Sequence, residues 1–192
     1  MSVGSSIKIV LLGSAEVGKT SISTRYAMGS FDSSPQATIG VAFLTRSIKI
    51  GEEEVQLEIW DTAGQEKFKS VTLSYLRQAR AVLCIYDLSK PETVRSAFDY
   101  AIDAKEKIDQ NAIIAIIGNK SDICEDMPDE VIPKAEEHDF LYFTCSAKTG
   151  ENIENVFSSV AKETLRNRHE ETSETKVYLT GPNVPSQKKP CC

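Results

Sequence analysis

Cysteines and long apolar runs are scarce in this chain, and their scarcity excludes several classes of protein. The 192 residues include five cysteines, and no pair has zinc-site spacing or indicates a disulfide framework. We therefore expect a reducing, cytosolic environment. No apolar run approaches the roughly 20 residues that a membrane-spanning helix requires. The N-terminus has neither a signal-peptide core nor the glycine at position 2 that myristoylation needs.

Basic residues are in the minority, with 22 lysines and arginines against 28 aspartates and glutamates, a net charge of −6. A general nucleic-acid binder needs a basic face that neutralises phosphates, so we expect no nucleic-acid partner. A content of 41% hydrophobic and 26% charged residues is that of an ordinary globular protein. The length fits one domain plus a tail.

A glycine-bounded loop, Gly13 to Thr20, carries the most informative motif. It follows the apolar run Ile7 to Leu12 and precedes a segment of helical character. Strand, loop and helix in this order indicate a phosphate-binding loop, in which backbone N–H groups and the helix dipole face an anion. The spacing alone fits ATPases, kinases and GTPases. The residues predicted to hold a nucleoside triphosphate are Ser14, Ala15, Glu16, Val17, Gly18, Lys19, Thr20 and Ser21, with the Thr20 hydroxyl also on Mg²⁺.

Apolar strands and helical segments alternate along most of the chain, which predicts a doubly wound, mostly parallel α/β sheet with helices on both faces. An antiparallel hairpin is expected around residues 51–54. A folded domain over 1–168 is expected to precede a flexible tail over 169–192. We predict strands over 7–12, 42–50, 55–60, 81–86, 112–117 and 140–144, and helices over 21–27, 92–108, 128–138 and 152–168, with a further helix through Leu73, Leu76 and Ala79.

Two polar loops supply candidates for the terminal phosphate and its metal. Asp61 ends an apolar strand, where a carboxylate is placed to hold Mg²⁺ through water. Gly64 has no side chain to keep its N–H from a terminal phosphate, and Gln65 is placed to orient a water for in-line attack. Thr38 closes a loop over residues 29–40 and offers a hydroxyl to Mg²⁺. A less favoured alternative is Asp61 as a turn residue, and without the other motifs Thr38 at a strand start would fit equally well.

Three further segments are candidates for the base. Asn119, Lys120 and Asp122 follow the most apolar strand. A carboxylate at Asp122 accepts two hydrogen bonds from guanine, whereas adenine would leave it unpaired at a cost of several kcal/mol. In isolation, Asp122 as a helix N-cap would be an ordinary alternative. The remaining candidates are Phe31, to stack on the base, and Ser146, Ala147 and Lys148, whose backbone reaches the guanine carbonyl.

These segments, in this order and spacing, resemble the Ras superfamily of small GTPases. Within it, Thr38 to Phe43, Trp60 to Glu66 and the pair Cys191-Cys192 are similar to the Rab family. Ala42 to Thr45 and Leu57 to Ile59 look most like its early-endosomal branch.

The resemblance runs from about Ile7 to Arg168. It implies a P-loop small G-domain whose six-stranded, mostly parallel sheet has one antiparallel edge strand. It also implies GTP hydrolysis to GDP with Mg²⁺ as cofactor, water positioned by Gln65, and metal held by Thr20, Thr38 and, through water, Asp61. Two segments would change with the nucleotide: switch I, residues 31–43, and switch II, residues 61–76.

The partners that the resemblance implies are regulators and a membrane. They comprise an exchange factor, a GTPase-activating protein, a GDP-dissociation inhibitor, the prenylation machinery, and effectors that bind switch I and switch II of a monomer. Two geranylgeranyl groups are expected on Cys191 and Cys192, because two lipid chains anchor stably whereas one does not. We expect a regulator of vesicle trafficking on the cytoplasmic face of an endosomal membrane, with an extracted cytosolic pool.

Glu16 departs from the resemblance, because relatives usually carry glycine or alanine there. A carboxylate about 6 Å from phosphates would repel them by on the order of 1–3 kcal/mol unless it points to solvent, so Glu16→Gly is expected to tighten nucleotide binding. An alternative function follows: a GTP-binding module with little hydrolysis because Glu16 disturbs the catalytic geometry. A second alternative, an ATP-dependent metabolic kinase, agrees poorly with Asp122.

Overall fold

The computed structural model describes residues 5–33, 38, 40–64 and 74–178, with side chains as far as residue 168. Six strands form one sheet in the order β2-β3-β1-β4-β5-β6. The strands are β1 (Ser5–Leu12), β2 (Val41–Ile50), β3 (Glu53–Thr62), β4 (Ala81–Asp87), β5 (Ile113–Asn119) and β6 (Leu141–Cys145), and the helices are α1 (Lys19–Met28), α2 (Glu92–Lys105), α3 (Val131–Glu137) and α4 (Ile153–Tyr178).

The pairing of the strands confirms the predicted fold class. Strands β2 and β3 are antiparallel, and the other four pairings are parallel. The hairpin is tighter than the sequence indicated, because Ile50 pairs directly with Glu53 and leaves a turn of Gly51 and Glu52. Gly51 has φ 60°, a conformation that two-residue hairpin turns require and that glycine adopts without strain.

The sheet is buried on both faces, as the alternation of strands and helices predicts. Ile7, Ile9 and Leu11 of β1 belong to a core cluster that includes residues of α1 and α4. Val10 and Leu12, on the opposite face of the same strand, belong to a second cluster with residues of α2 and α3. Because the sheet core is covered on both sides, the parallel strands leave their carboxyl ends as the natural place for a ligand.

Several helix boundaries differ from the predictions. The end predicted for α4 at Arg168 was wrong, because the helix continues to Tyr178. Residues 169–178 contain neither glycine nor proline, and the first such breakers are Gly181 and Pro182. The predicted domain boundary at 168 therefore falls inside a helix. Pro133 is compatible with α3 because it lies in the first turn, where its missing N–H has no intrahelical acceptor.

Parts of other predictions lie outside the described residues. Of the helix predicted through Leu73, Leu76 and Ala79, the structure describes the C-terminal end, where Gln78 has φ 62°. The tail over 179–192 is also outside. Within the part of the chain that is described, none of the helices is both long and apolar enough to cross a bilayer.

Candidate nucleotide-binding site

A cavity of about 570 Å³ lies at the carboxyl ends of the strands and brings most of the predicted residues together. Its lining includes Asp32, Ser33 and Ile123, which the sequence did not single out. The predicted residues that line it are Ala15, Glu16, Gly18, Lys19, Thr20, Ser21, Phe31, Thr38, Gly64, Asn119, Lys120, Asp122, Ala147 and Lys148. The cavity lining does not include Ser14, Val17, Asp61 or Ser146, and Gln65 lies outside the described residues.

The phosphate-binding loop has a glycine at each end, and a different neighbour leaves no room for a Cβ at each. A Cβ on Gly13 would lie 2.3 Å from the carbonyl oxygen of Ile85, and one on Gly18 would lie 2.3 Å from Nδ2 of Asn119. Both residues also have positive φ, 146° and 95°. Helix α1 begins directly after Gly18 with no side-chain cap. Its first N–H groups therefore face the cavity as ready donors for an anion.

Lys19 is buried at the centre of this loop. It is 5% exposed, and its Nζ donates hydrogen bonds to the carbonyl oxygens of Gly13 (2.9 Å) and Ser14 (2.7 Å). Burial lowers the pKa of Lys19 to about 8, and the nearby Asp61 carboxylate offsets only part of this shift. An anionic phosphate in the cavity would favour the charged ammonium and reverse the shift.

Three oxygen-bearing side chains converge beside Lys19. The Thr20 hydroxyl lies 2.6 Å from the Thr38 hydroxyl and donates a 2.6 Å hydrogen bond to Oδ2 of Asp61. Asp61 is fully buried, and its Oδ1 has no hydrogen-bond partner among the described residues. Burial raises the pKa of Asp61, although the Thr20 hydrogen bond and Lys19 act in the opposite direction.

These three side chains fit a magnesium ion. Hydroxyl and carboxylate oxygens are the hard ligands that Mg²⁺ prefers, and a cation would satisfy the orphaned, buried oxygen of Asp61. Softer metals fit this donor set less well, because none of the three side chains is the thiolate or imidazole that such metals prefer. A bound Mg²⁺ would neutralise phosphate charge, with Thr20 and Thr38 as the predicted direct ligands.

Gly64 closes the phosphate side of the cavity. A Cβ at this position would lie 2.4 Å from Nζ of Lys19 and 2.6 Å from the Ser14 carbonyl oxygen. The start of switch II thus contacts the phosphate-binding loop closely, which only glycine permits. One residue earlier, the Ala63 N–H donates a 2.9 Å hydrogen bond to the carbonyl oxygen of Gly40, so the segments predicted as switch I and switch II meet near Thr38 and Asp61.

Asn119 joins the phosphate-binding loop to the segment Ser146 to Lys148, which we call the base loop. Its Nδ2 donates to the Val17 carbonyl oxygen (2.8 Å), and its Oδ1 accepts from the Ala147 N–H (3.1 Å). Asn119 is 1% exposed, so these bonds are made in a dry setting where they are strong. The geometry shows the amide bracing the two loops around the cavity, and its expected part in holding guanine stays a prediction.

Asp122 is held in its ionised form by two neighbours of the base loop. The Ser146 hydroxyl donates a 2.6 Å hydrogen bond to Oδ1, and the Lys148 ammonium lies 3.2 Å from Oδ2. These contacts, that of Ser146 first, lower the pKa of Asp122 despite some desolvation. A carboxylate that stays charged and faces the cavity is the acceptor that guanine N1–H and its amino group require.

A scan of family models gives the decisive match, to the model described as the Ras family, over residues 8–166. The chain belongs to the Ras family. It is therefore a small GTP-binding switch and a GTPase, a class that uses GTP, GDP and Mg²⁺. This assignment removes the metabolic kinase from the alternatives.

In this Ras-family protein, Glu16 lines the edge of the cavity, but its carboxylate is exposed to solvent and paired with Lys90. Its side chain is 81% exposed, and its Oε2 lies 3.6 Å from the Lys90 ammonium. The backbone at Glu16 has φ 64°, a left-handed conformation that strains a residue with a Cβ. The sequence analysis allowed for a carboxylate that points to solvent, and the structure shows this arrangement. Glu16 thus gives the alternative of a non-hydrolysing module no geometric support.

Asp87 is a buried residue of the site that the sequence analysis missed. At the end of β4, its Oδ2 lies 2.6 Å from the Lys120 ammonium, and its Oδ1 accepts hydrogen bonds from the N–H and hydroxyl of Ser89. Burial acts to raise the pKa of Asp87, but these hydrogen bonds lower it overall. The signal was present, because Asp87 is the last residue of its strand, as Asn119 is, and Asp61 is the last but one of β3.

Proposed function

We propose that this Ras-family protein is a Rab-type switch that regulates vesicle trafficking from an intracellular membrane. In the GTP state it recruits effectors through switch I and switch II, and it returns to the GDP state by slow hydrolysis. The observation that carries the proposal is the meeting of both switches at the phosphate side of the cavity. Thr38 of switch I contacts Thr20 at 2.6 Å, and Gly64 of switch II fits against Lys19.

The proposed catalysis is positioning and electrostatics. Gln65 would orient the attacking water, Lys19 and the N–H groups of α1 would stabilise charge on the phosphates, and Gly64 would admit the terminal phosphate closely. A GTPase-activating protein would supply the missing group, an arginine, to a reaction that is otherwise slow.

Partner recognition next to the switches is supported by an aromatic cluster on the hairpin. Phe43 is 52% exposed, its ring centroid lies 5.3 Å from that of Trp60, and the Trp60 ring lies 5.8 Å from that of Tyr75. Phe43 belongs to switch I, and Tyr75 belongs to switch II. An exposed aromatic joined to both switches is a suitable anchor for an effector that distinguishes the two nucleotide states.

Membrane attachment is proposed through geranylgeranyl groups on Cys191 and Cys192. Incubation with geranylgeranyl diphosphate and the matching prenyltransferase is expected to add two groups, detected by mass spectrometry, and none to a Cys191→Ser, Cys192→Ser variant. Endosomal residence would follow from colocalisation of the tagged chain with early-endosome markers. Unmodified cysteines would contradict this part of the proposal.

The test of the switch itself is single-turnover hydrolysis of bound GTP, with and without an added Rab-class GTPase-activating domain. We expect slow release of phosphate, acceleration by the activator, and loss of both in Gln65→Leu. Hydrogen exchange over residues 31–43 and 61–76 should slow when GDP is replaced by a non-hydrolysable GTP analogue. Equal exchange in the two states would contradict the proposal.

A further inference from the structure

Arg25, in the last turn of α1, bonds to three carbonyl oxygens from two separate segments. Its Nε donates to Ala147 (2.7 Å), its Nη2 donates to Lys148 (2.6 Å), and its Nη1 donates to Gly29 (2.8 Å). The planar guanidinium has donors in a fixed fork, so it can hold three acceptors at once, which lysine cannot. None of the sequence motifs includes Arg25.

The same guanidinium extends to the start of switch I. Its central carbon lies 5.8 Å from the centroid of the Phe31 ring, within the range of a cation–π contact. Phe31, Ala147 and Lys148 all line the cavity where the base is expected. Gly150 stands next to the Arg25 stem, because a Cβ there would lie 3.7 Å from Cδ. Arg25 thus connects the base loop, the end of α1 and Phe31.

We infer that Arg25 is a positioning residue that keeps the base loop and the Phe31 end of switch I closed over the nucleotide and so slows its release. The inference rests on the proposed role of the base loop in holding guanine. For the base to leave, the base loop or the Phe31 segment must open. Opening either one breaks hydrogen bonds or a ring contact made by one charged side chain, and hydrogen bonds to charged groups are among the stronger ones.

Arg46 provides a matched control for a merely structural role. Its Nη1 donates to the Tyr26 carbonyl oxygen (2.8 Å) and to Oε2 of Glu154 (2.7 Å), and its guanidinium lies 4.3 Å from the Tyr26 ring. Arg46 therefore ties the same end of α1 to another element with the same chemistry. Unlike Arg25, it contacts neither the base loop nor Phe31 in these bonds, and it does not line the cavity.

The experiment measures release and capture of fluorescent GDP in the full chain with Mg²⁺ present, for Arg25→Gln, Arg25→Lys and Arg46→Gln. We expect GDP to dissociate about tenfold faster from Arg25→Gln, which corresponds to the loss of about one hydrogen bond to a charged group, with the association rate changed less than about twofold. The GDP dissociation rate of Arg25→Lys should lie between those of wild type and Arg25→Gln, because a single ammonium group replaces the three donor nitrogens of the guanidinium. Arg46→Gln should release GDP within about twofold of wild type, although its melting temperature falls as much as that of Arg25→Gln.

The outcomes separate this inference from the proposed function. Wild type that fails to retain GDP would contradict the proposed function itself. If the wild type retains GDP and both Arg25→Gln and Arg25→Lys release it at rates within about twofold of wild type, the role of Arg25 is overturned. The proposed function would then still stand. Equal acceleration by Arg46→Gln would also overturn it, because general loosening of α1 would then explain the effect. If Arg25→Gln does not fold, Arg25→Lys decides.

Discussion

The base side and the phosphate side of the cavity differ in how fully the protein satisfies its own polar groups. On the base side, Asn119, Lys120 and Asp122 each bond to other protein groups. On the phosphate side, one oxygen of buried Asp61 has no partner among the described residues, and the buried Lys19 ammonium bonds to backbone carbonyls. Charged side chains of the protein therefore pair with each other on the base side, whereas on the phosphate side an oxygen of Asp61 is left for a bound cation to satisfy. Switch I and switch II both reach the phosphate side of the cavity. A bound phosphate and its metal ion could therefore change the conformation of both segments.

Asp122→Asn should produce the largest effect, because it replaces a hydrogen-bond acceptor on the base side of the cavity by a donor. The amide would present a donor to the guanine amino group, and xanthine has a carbonyl oxygen at that position. We expect GDP affinity to fall by ~10³-fold and xanthosine diphosphate to become the preferred ligand, measured by competition for the same site. Continued preference for GDP would show that Asp122 does not contact the base.

The pH dependence of GDP affinity should report on the protonation of Lys19 on the phosphate side of the cavity. The pKa of Lys19 is about 8 in the ligand-free protein, and bound phosphate should raise it. Binding then takes up a proton above pH 8, so the affinity is fully present below pH 8 and falls by up to about tenfold per pH unit above it. Titration between pH 7 and 9 checks this. The control for titration of guanine itself is Lys19→Arg, because an arginine side chain does not titrate in this range. If GDP affinity depends on pH equally in the wild type and in Lys19→Arg, the account is contradicted.

Asp87→Asn tests whether the buried ion pair on the base side has a role beyond stability. The variant keeps an oxygen for Ser89 but loses the charge that holds Lys120 at 2.6 Å. We expect GDP to dissociate roughly fivefold faster, the equivalent of about one ordinary hydrogen bond. Glu163→Gln, which removes the half-exposed pair with Arg166 on α4, should leave dissociation unchanged. The idea fails if both variants behave alike.

Glu16→Gly should have the smallest effect, despite its place in the phosphate-binding loop. The exposed carboxylate, 3.6 Å from Lys90, is screened by solvent, so little repulsion of phosphate is left to remove. We expect the GDP dissociation rate to change less than about twofold, in contrast with the tighter binding expected from the sequence. A decrease of tenfold would show that Glu16 turns toward the phosphates in the bound state.

Much of the fold and of the site was predictable because both depend on local patterns. Apolar strands followed by polar residues located the ends of β1, β3, β5 and β6, and parallel strands bring such ends together. Asp87 was missed because a single aspartate at the end of β4 has no motif around it. Arg25 was not predictable, because its acceptor Ala147 is 122 residues away and contributes only a backbone oxygen, which has no sequence signature.

The remaining differences concern where elements end. The predicted end of α4 is too early, because the polar composition after Arg168 indicates a tail whereas the helix-breaking residues come later. Gln65, residues 34–37 and 39, and the pair Cys191-Cys192 lie outside the described residues, so the predictions made for them stand as predictions.

Release of GDP before and after chelation of Mg²⁺, compared in wild type, Thr20→Ser and Thr20→Val, tests the central contrast most directly. Wild type and Thr20→Ser keep the hydroxyl beside Thr38 and Asp61, so chelation should accelerate release by about tenfold or more. Thr20→Val should release GDP quickly with the metal present and gain less than about twofold from chelation. If chelation leaves the wild-type rate of GDP release unchanged, or accelerates release from Thr20→Val as much as from wild type, the claim that a metal ion and phosphates complete this side of the cavity is contradicted.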